Sequence, residues 1–225
     1  MQTIVNGTTM KRVLVIGASK GIGREVVHQA LDAGYSVRAM SRNADALQLT
    51  AENLVKFSGD ARNLGDVEAA LANVDVVVQA LGIPLNLDMF TKPITLFSEA
   101  TKVLVPAMEI AGVEHLICVT GYGAGDSRQS INCLQRLPFK LLLANAYDDK
   151  SIQEEVIAES KLDWTIVRPG GLTNQGKSGS YKVLEESSKW RNGIISRADV
   201  ADFIVSQIDH NTMSRKKPVL IRLPL

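Results

Sequence analysis

Short apolar runs alternate along this chain with segments whose apolar residues recur at helical spacing. Several of the runs are continuous, such as Val13–Ile16 and Val76–Val78. A strand that is covered on both faces has this composition, so the pattern indicates a parallel sheet between helices. The predicted strands are Arg12–Ile16, Ser36–Met40, Leu54–Phe57, Val74–Gln79, His115–Thr120, Trp164–Val167 and Val219–Arg222.

Helices are predicted between these strands. One apolar stripe runs through Phe97, Ala100, Leu104, Met108 and Ala111. Asp148 or Asp149 is a candidate cap for a helix that continues to about Glu159. Ser196, with Asp199 three residues later, resembles a capping box that opens a helix to about Ile208. Strand–helix alternation of this kind predicts right-handed βαβ units and therefore an α/β fold with a doubly wound parallel sheet.

The predicted organisation is a single domain over residues 10–225, preceded by a loose extension at residues 1–9. Two segments, 122–147 and 171–195, stand outside the alternation, and each follows the end of a predicted strand. Ligands bind at the carboxyl ends of the strands in open α/β sheets. These two segments are therefore expected to form a small lobe that covers a substrate.

The charge balance narrows the choice of partners. Among 225 residues, 25 are Lys or Arg and 24 are Asp or Glu, which gives a net charge of +1. Nucleic acids and anionic membranes select a basic surface, so neither is expected as the main partner. Two cysteines exclude a disulfide scaffold, and no secretory signal or membrane-spanning run is recognised. A reduced, cytoplasmic protein is the resulting expectation.

A glycine-rich loop carries the clearest chemical signal. Gly17, Gly21 and Gly23 lie directly after the first predicted strand and open the first helix. Glycines there allow a tight turn and a close approach of the backbone to a pyrophosphate, which the N–H groups at the start of the helix can bind. The alternative is a tight strand-to-helix turn that binds no ligand.

The spacing Gly-x-x-x-Gly-x-Gly resembles the short-chain dehydrogenase/reductase superfamily, and further matches extend from about Lys11 to Leu225. The segment Leu162–Leu172 resembles a signature of its atypical, NmrA-like and biliverdin/flavin-reductase-like members, and Ile195–Ala201 resembles the start of their last helix. The resemblance implies a Rossmann-type sheet in the order 3-2-1-4-5-6 with a short seventh strand. The cofactor-binding residues that it implies are Gly17, Ser19, Lys20, Gly21, Ile22, Gly23, Ser41, Arg42, Asp60, Ala61, Ala80, Leu81, Gly82, Thr120, Lys150, Pro169, Gly170, Gly171 and Leu172.

The end of the second strand favours one nicotinamide cofactor over the other. A site for NAD usually has an acidic residue here to bind the ribose 2′-hydroxyl. This chain instead has Ser41 and Arg42, and a guanidinium beside a hydroxyl suits a 2′-phosphate. Lys20 adds a second positive charge. The prediction is NADP(H) in preference to NAD(H), the alternative being that Arg42 is an ordinary surface arginine.

The catalytic residues of the superfamily are only partly matched. Most members have a Tyr, a Lys four residues later, and a Ser at the end of the fifth strand. Lys150 aligns with the Lys, but Tyr147 lies only three residues before it, and Gly121 takes the place of the Ser with Thr120 preceding it. Lys150 is therefore a candidate for binding the nicotinamide ribose. Tyr147 and Thr120 are weaker catalytic candidates, and Tyr122 is a candidate substrate contact.

This partial match favours chemistry that needs no acid in a fixed register. The leading hypothesis is an NADP(H)-dependent oxidoreductase that passes hydride to a flavin, a quinone or a similar planar small molecule. A platform for such an acceptor is predicted from apolar residues of the first long segment, namely Leu134, Leu137, Phe139 and Leu141. The alternatives are a non-catalytic redox sensor with a protein partner and, ranked lower, a sugar-nucleotide epimerase or dehydratase. His28, His115 and His210 are far apart, so no metal site is predicted.

Overall fold

The computed structural model describes residues 4–5, 8–83, 93–130 and 133–224, with side chains described outside 4–9, 129–144 and 224. A sheet of eight strands forms its centre. Six of the strands are parallel and follow the order 3-2-1-4-5-6, as predicted. They are β1 (Arg12–Ile16), β2 (Ser36–Ser41), β3 (Leu54–Ser58), β4 (Val76–Gln79), β5 (His115–Val119) and β6 (Asp163–Pro169).

The remaining strands extend the sheet beyond β6 and form a second, smaller sheet. They are β7 (Gly171–Thr173), β8 (Lys182–Leu184), β9 (Gly193–Ser196), β10 (Val219–Ile221) and β11 (Leu223–Pro224). The predicted short seventh strand is β10, which pairs parallel with β6, and β8 pairs antiparallel with β10 at the edge. In the smaller sheet, β9 lies between β7 and β11. Near the N-terminus, Ile4–Val5 pairs antiparallel with Thr8–Thr9.

Helices cover both faces of the central sheet. In the described part of the chain they are α1 (Gly21–Asp32), α2 (Leu64–Leu71), α3 (Leu96–Ala111), α4 (Cys133–Glu159) and α5 (Arg197–Ser206). Alternate residues of β1 divide between two core layers, because side chains of a strand point to opposite faces. Val13 and Val15 pack with α1 and α5, whereas Leu14 and Ile16 pack with α2, α3 and α4.

The capping predictions had different outcomes. Ser196 caps α5 as expected, since its side chain accepts a hydrogen bond from the Asp199 N–H at 2.9 Å. The predicted start of a helix at Asp148 or Asp149 was wrong, because α4 already begins at Cys133 and both residues lie inside it. Asp149 instead caps a different helix: its carboxylate accepts from the N–H groups of Phe97 and Ser98 in the first turn of α3.

The connection predicted over 122–147 is therefore helical in its second half, after a short 3₁₀-helix at Gly125–Ser130. No helix in the described part of the chain is long and apolar enough to cross a membrane.

Candidate functional site

The glycine loop leaves β1 in a conformation that only glycine adopts readily. Gly17 has φ of +90°, and a Cβ on it would lie 2.5 Å from the carbonyl oxygen of Ala80. A Cβ on Gly23 would lie 2.2 Å from the carbonyl oxygen of Gly17. The N–H groups of Gly17 and Ala18 donate to the Met40 carbonyl, which ties the loop to β2. The loop is thus packed closely against the ends of the two neighbouring strands.

The amino end of α1 is suited to an anion. Its first N–H groups have no partner within the helix, Lys20 provides no side-chain cap, and the first turn contains no acidic residue. Gly21, with φ of +62°, starts the helix, and Ser19 and Lys20 are exposed while Ile22 and Gly23 are buried. Unpaired N–H groups, the positive end of the helix dipole and an exposed ammonium together favour a phosphate.

The ends of β2 and β3 bring two guanidinium groups near one carboxylate. Ser41 is partly buried and Arg42 is exposed. Asp60 accepts from the side chain and the backbone N–H of Arg62, and these hydrogen bonds, with a smaller contribution from Arg42, hold its pKa below the usual range. Ala61 beside it is buried. Arg62 is not among the residues predicted from the sequence, although it lies only two positions after Asp60, with which it pairs.

On the other side of the loop, β4 and β6 end in close-packed backbone. Ala80 is buried, Leu81 is partly buried and Gly82 is exposed. Pro169 ends β6, and the turn continues through Gly170 into Gly171 and Leu172, both exposed, in β7. A Cβ on Gly170 would lie 2.2 Å from the carbonyl oxygen of Gly193. Glycine is therefore required where β6 passes the smaller sheet.

Lys150 extends from α4 to the end of β5. Its Nζ donates to the Thr120 carbonyl oxygen at 2.5 Å and lies 4.8 Å from the centre of the Phe97 ring. Burial lowers the pKa of the Lys150 ammonium to about 8. The hydroxyl of Thr120 is directed elsewhere, because it is buried and donates to Glu154 at 2.7 Å. In this arrangement Thr120 orients Lys150 through its backbone.

Tyr147 reaches the same point although it lies three residues before Lys150. Its hydroxyl lies 2.9 Å from the point that a Cβ on Gly121 would occupy. Burial raises the pKa of the Tyr147 phenol to about 12. A hydroxyl group is thus supplied by α4 next to the position where the resemblance leads us to expect a Ser on β5.

Tyr122, the candidate substrate contact, is 4% exposed. It packs with Leu184, Val219 and Ile221, and burial raises the pKa of its phenol. The structure therefore places this ring in a small apolar cluster with residues of β8 and β10. The side chains of Leu134, Leu137, Phe139 and Leu141, which were predicted to form an acceptor platform, lie outside the described residues.

A buried ion pair that was not predicted from the sequence adjoins Thr120. Arg168, at the end of β6, donates from Nε to Glu154 at 2.9 Å, and its Nη2 contacts both Glu154 and Asp126. Its guanidinium also lies 4.9 Å from the centre of the Trp190 ring. Asp126 and Trp190 come from the two segments that were expected to cover a substrate. These segments therefore meet on one arginine, which also holds Glu154 against Thr120.

No cluster of three or more metal-binding side chains occurs among the residues that the structure describes. The groups at the ends of the strands follow the order of the sheet. Guanidinium groups lie at the ends of β3 and β2, the glycine loop follows β1, and beyond β4 an ammonium and a phenol lie at the end of β5. An elongated molecule with phosphates at its middle and on one side fits that order.

Comparison with known proteins agrees with this geometry. Residues 17–211 match a family model for NAD(P)H-binding domains. The chain belongs to this NAD(P)H-binding family. The match covers the glycine loop and most of the strand ends described above, whose geometry suits a nicotinamide dinucleotide. The cradle around Gly17 and the anion-suited end of α1 fit its pyrophosphate.

Individual relatives of this NAD(P)H-binding protein have diverse names. The photosystem II assembly factor Ycf39 of Synechocystis is 25% identical over 91% of the chain, which spans 60% of that relative's length. A sugar epimerase of Bacillus subtilis, YhfK, is uncharacterized and is 26% identical, with 91% of each chain covered.

Solved structures support membership of this chain in the atypical short-chain reductase family. The anaerobilin reductase ChuY of Escherichia coli O157:H7 has a TM-score of 0.79 and 27% identity, and covers 94% of this chain and 97% of its own. A short-chain dehydrogenase/reductase of Veillonella parvula in complex with NADP has a TM-score of 0.78 over 94% of both chains; at 17% identity it supports the fold alone.

Proposed function

We propose that this protein is an NADP(H)-dependent oxidoreductase of the atypical short-chain type that passes hydride to a flavin, a quinone or a similar planar acceptor. The observation that carries this proposal is the meeting of Lys150 and Tyr147 at the end of β5. β5 is two strands from β1 and the glycine loop, a distance of about 10 Å at the usual strand spacing. Reactive polar groups thus lie where the nicotinamide half of a dinucleotide would extend.

Each part of the cofactor has residues suited to it. Gly17, Gly21 and the amino end of α1 would hold the pyrophosphate, and Asp60 and Ala61 would flank the adenine. Lys150, with Ala80–Gly82 and the turn 169–172, would hold the nicotinamide half. When bound, a reduced nicotinamide supplies a hydride, and the protein's task is to orient the acceptor and exclude water.

A preference for the 2′-phosphorylated cofactor is supported by the charges at the ends of β2 and β3. Arg42 is exposed and can turn toward a phosphate. Asp60, the nearby carboxylate, is occupied by the side chain and backbone of Arg62. It therefore competes poorly for a ribose 2′-hydroxyl. Arg62 is paired with Asp60 and Glu99, whereas Arg42 forms no ion pair in the described part of the chain, so its charge favours a phosphate.

The choice of a planar acceptor is supported by the weak acidity of the Tyr147 phenol. A phenol whose pKa is about 12 stays protonated at neutral pH and is a weak acid, so it donates a hydrogen bond more readily than a proton. Conjugated rings accept a hydride with delocalisation of charge, and solvent can provide the proton. The resemblance to an anaerobilin reductase supports reduction as the type of reaction.

A non-catalytic sensing role is the second candidate. It is favoured by Gly121, which has no hydroxyl, and by the commitment of the Thr120 hydroxyl to Glu154. The name of Ycf39, an assembly factor, is in keeping with such a role. A sensor would bind the dinucleotide tightly, would turn over no acceptor, and would have a protein partner. An epimerase remains the third candidate, in keeping with the name of YhfK.

The cofactor preference is tested by titration of the protein with NADPH and NADH, followed by intrinsic fluorescence. Arg42→Ala is expected to weaken NADPH binding by about tenfold or more, because a charge-assisted contact is lost, and to leave NADH binding nearly unchanged. Arg24→Ala, which removes an exposed arginine of α1, is the control. Tighter binding of NADH than of NADPH, unaffected by Arg42→Ala, would refute the preference.

The acceptor is tested by NADPH oxidation with a panel of flavins, quinones and aldehydes. Turnover of planar acceptors that is largely retained in Tyr147→Phe supports the proposal. Tight binding of NADPH without any turnover supports the sensor. Aldehyde reduction that is lost in Tyr147→Phe would instead assign Tyr147 as a proton donor.

We also propose a cellular location and a class of partner for this activity. We place the protein in the cytoplasm, with a small-molecule acceptor and without nucleic acid or membrane as partners, because its charges balance and its cysteines are few. Cell fractionation with detection of the native protein tests this placement.

A further inference from the structure

Two elements that are far apart in the sequence meet above the glycine loop. The guanidinium Nε of Arg197, at the first position of α5, lies 3.9 Å from the point that a Cβ on Gly21 would occupy. Gly21 is the first residue of α1, and α1 and α5 pack side by side on the same face of the sheet. A cation from α5 therefore lies at the amino end of α1, where the backbone is suited to an anion.

The charge of Arg197 is oriented but not neutralised. Its Nη1 donates to the side-chain oxygen of Asn174 at 2.7 Å, which fixes the guanidinium with a neutral partner. No ion pair in the described part of the chain includes Arg197. An arginine that is held by an amide beside unpaired N–H groups has charge available for a ligand.

The nearest acidic residue on α5 is committed elsewhere. Asp199 accepts from the N–H and hydroxyl of Ser178 at 2.7 and 2.8 Å, and from the N–H of Gly179 at 3.0 Å. These bonds tie the segment after β7 to the first turn of α5. They also occupy the Asp199 carboxylate, which forms no ion pair with Arg197.

We infer that Arg197 is a pyrophosphate-binding residue, positioned by Asn174, that adds a side-chain cation to the backbone anion site at the start of α1. This inference rests on the proposed binding of a dinucleotide and extends it to a residue outside the glycine loop. It also assigns a role to the segment after β7: Asn174 of this segment sets the direction of the guanidinium.

The test compares binding of NADPH, NADH and adenosine 2′-monophosphate by isothermal titration calorimetry. Adenosine 2′-monophosphate carries the 2′-phosphate but no pyrophosphate. Arg197→Met is expected to weaken NADPH and NADH by the same factor, about tenfold or more, and to leave adenosine 2′-monophosphate within about twofold. Arg197→Lys should lose less affinity, since it keeps the charge, and Asn174→Ala should lose less than Arg197→Met.

Arg222→Met is the matched control. Arg222 donates to Gln175, the residue after Asn174, at 3.2 Å, so its loss removes a similar arginine–amide contact from the same segment. All three affinities should stay within about twofold of those of the unmodified protein. The melting temperature of each unliganded variant shows whether the fold is retained.

Three outcomes would overturn the inference. They are unchanged affinity for NADPH and NADH in Arg197→Met, a loss confined to NADPH and adenosine 2′-monophosphate, and an equal loss for all three ligands with a lowered melting temperature. If the unmodified protein binds NADPH and Arg197→Met binds it equally well, only the role of Arg197 is wrong. If the unmodified protein binds neither dinucleotide, the proposed function itself fails and the inference with it.

Discussion

The hydroxyl of Tyr147 lies 2.9 Å from the point where a Cβ on Gly121 would be. The two residues come from α4 and from the end of β5, and the absence of a side chain at Gly121 gives the phenol its place. This relationship explains why a glycine stands where the resemblance to short-chain reductases leads us to expect a serine. The room at the strand end is used by a hydroxyl from the helix.

Gly121→Ala should therefore destabilise the protein by about 1–2 kcal/mol, since the added methyl group forces the partly buried ring of Tyr147 to shift. In a Tyr147→Phe background the same substitution should cost less than half as much, because the nearest remaining ring atoms are 3.3 and 3.4 Å away. Chemical denaturation of the two single variants and the double variant measures this coupling. Equal costs in both backgrounds would show that the two residues do not compete for the space.

The buried pair of Glu154 and Arg168 should be far more sensitive to mutation than the exposed contact of Arg168 with Asp126. Glu154→Ala leaves a buried guanidinium without its main partner and should cost about 3–5 kcal/mol. Asp126→Ala removes a carboxylate that is 59% exposed and should cost less than about 1 kcal/mol. Urea denaturation of both variants distinguishes them. Similar costs would mean that Glu154 is not the principal partner.

Asp149 and Asp148 are neighbours with opposite surroundings. Asp149→Ala removes the cap of α3 and should cost about 1–2 kcal/mol, as loss of a helix cap usually does. Asp148→Ala removes an exposed contact with Arg128 and should change the free energy of unfolding by less than about 0.5 kcal/mol. Thermal denaturation followed by circular dichroism measures both. A larger cost for Asp148→Ala would contradict the assigned cap.

Lys150 should make the stability of the protein rise with pH. Its pKa is about 8 in the folded protein and 10.5 when unperturbed, so the unfolded chain binds more protons between these values. The stabilisation is complete above pH 10.5 and is lost as the pH falls toward 8. From about pH 7.5 to 9.5, the unmodified protein should gain about 2 kcal/mol relative to Lys150→Met, as measured by urea denaturation. Parallel pH profiles would contradict the burial of this ammonium.

Local patterns were sufficient to predict most of the architecture. All seven predicted strands are present, and their order follows from the family resemblance. The continuous apolar runs identify buried parallel strands regardless of their neighbours. The capping box at Ser196 is equally local, because its two residues are three positions apart and bond to each other.

What could not be predicted depends on contacts between distant elements. Asp149 resembles a cap for its own helix, but its partners are the N–H groups of α3, about fifty residues away. The three-residue spacing to Lys150 suggested that Tyr147 is displaced around the helix from the usual catalytic position, yet the space left by Gly121 lets its hydroxyl reach the end of β5. Arg168 belongs to a recognisable motif, but only the packed structure shows its pairing with Glu154 and Asp126.

The most direct test of the account is calorimetric titration of protein from which bound nucleotide has been removed. The central claim is that the turn between β1 and α1 binds the pyrophosphate of a reduced nicotinamide dinucleotide. NADPH is expected to bind at one site per chain with a dissociation constant in the micromolar range or tighter, and more tightly than NADH. Absence of measurable heat with both NADPH and NADH, from protein shown to be folded, would contradict the claim.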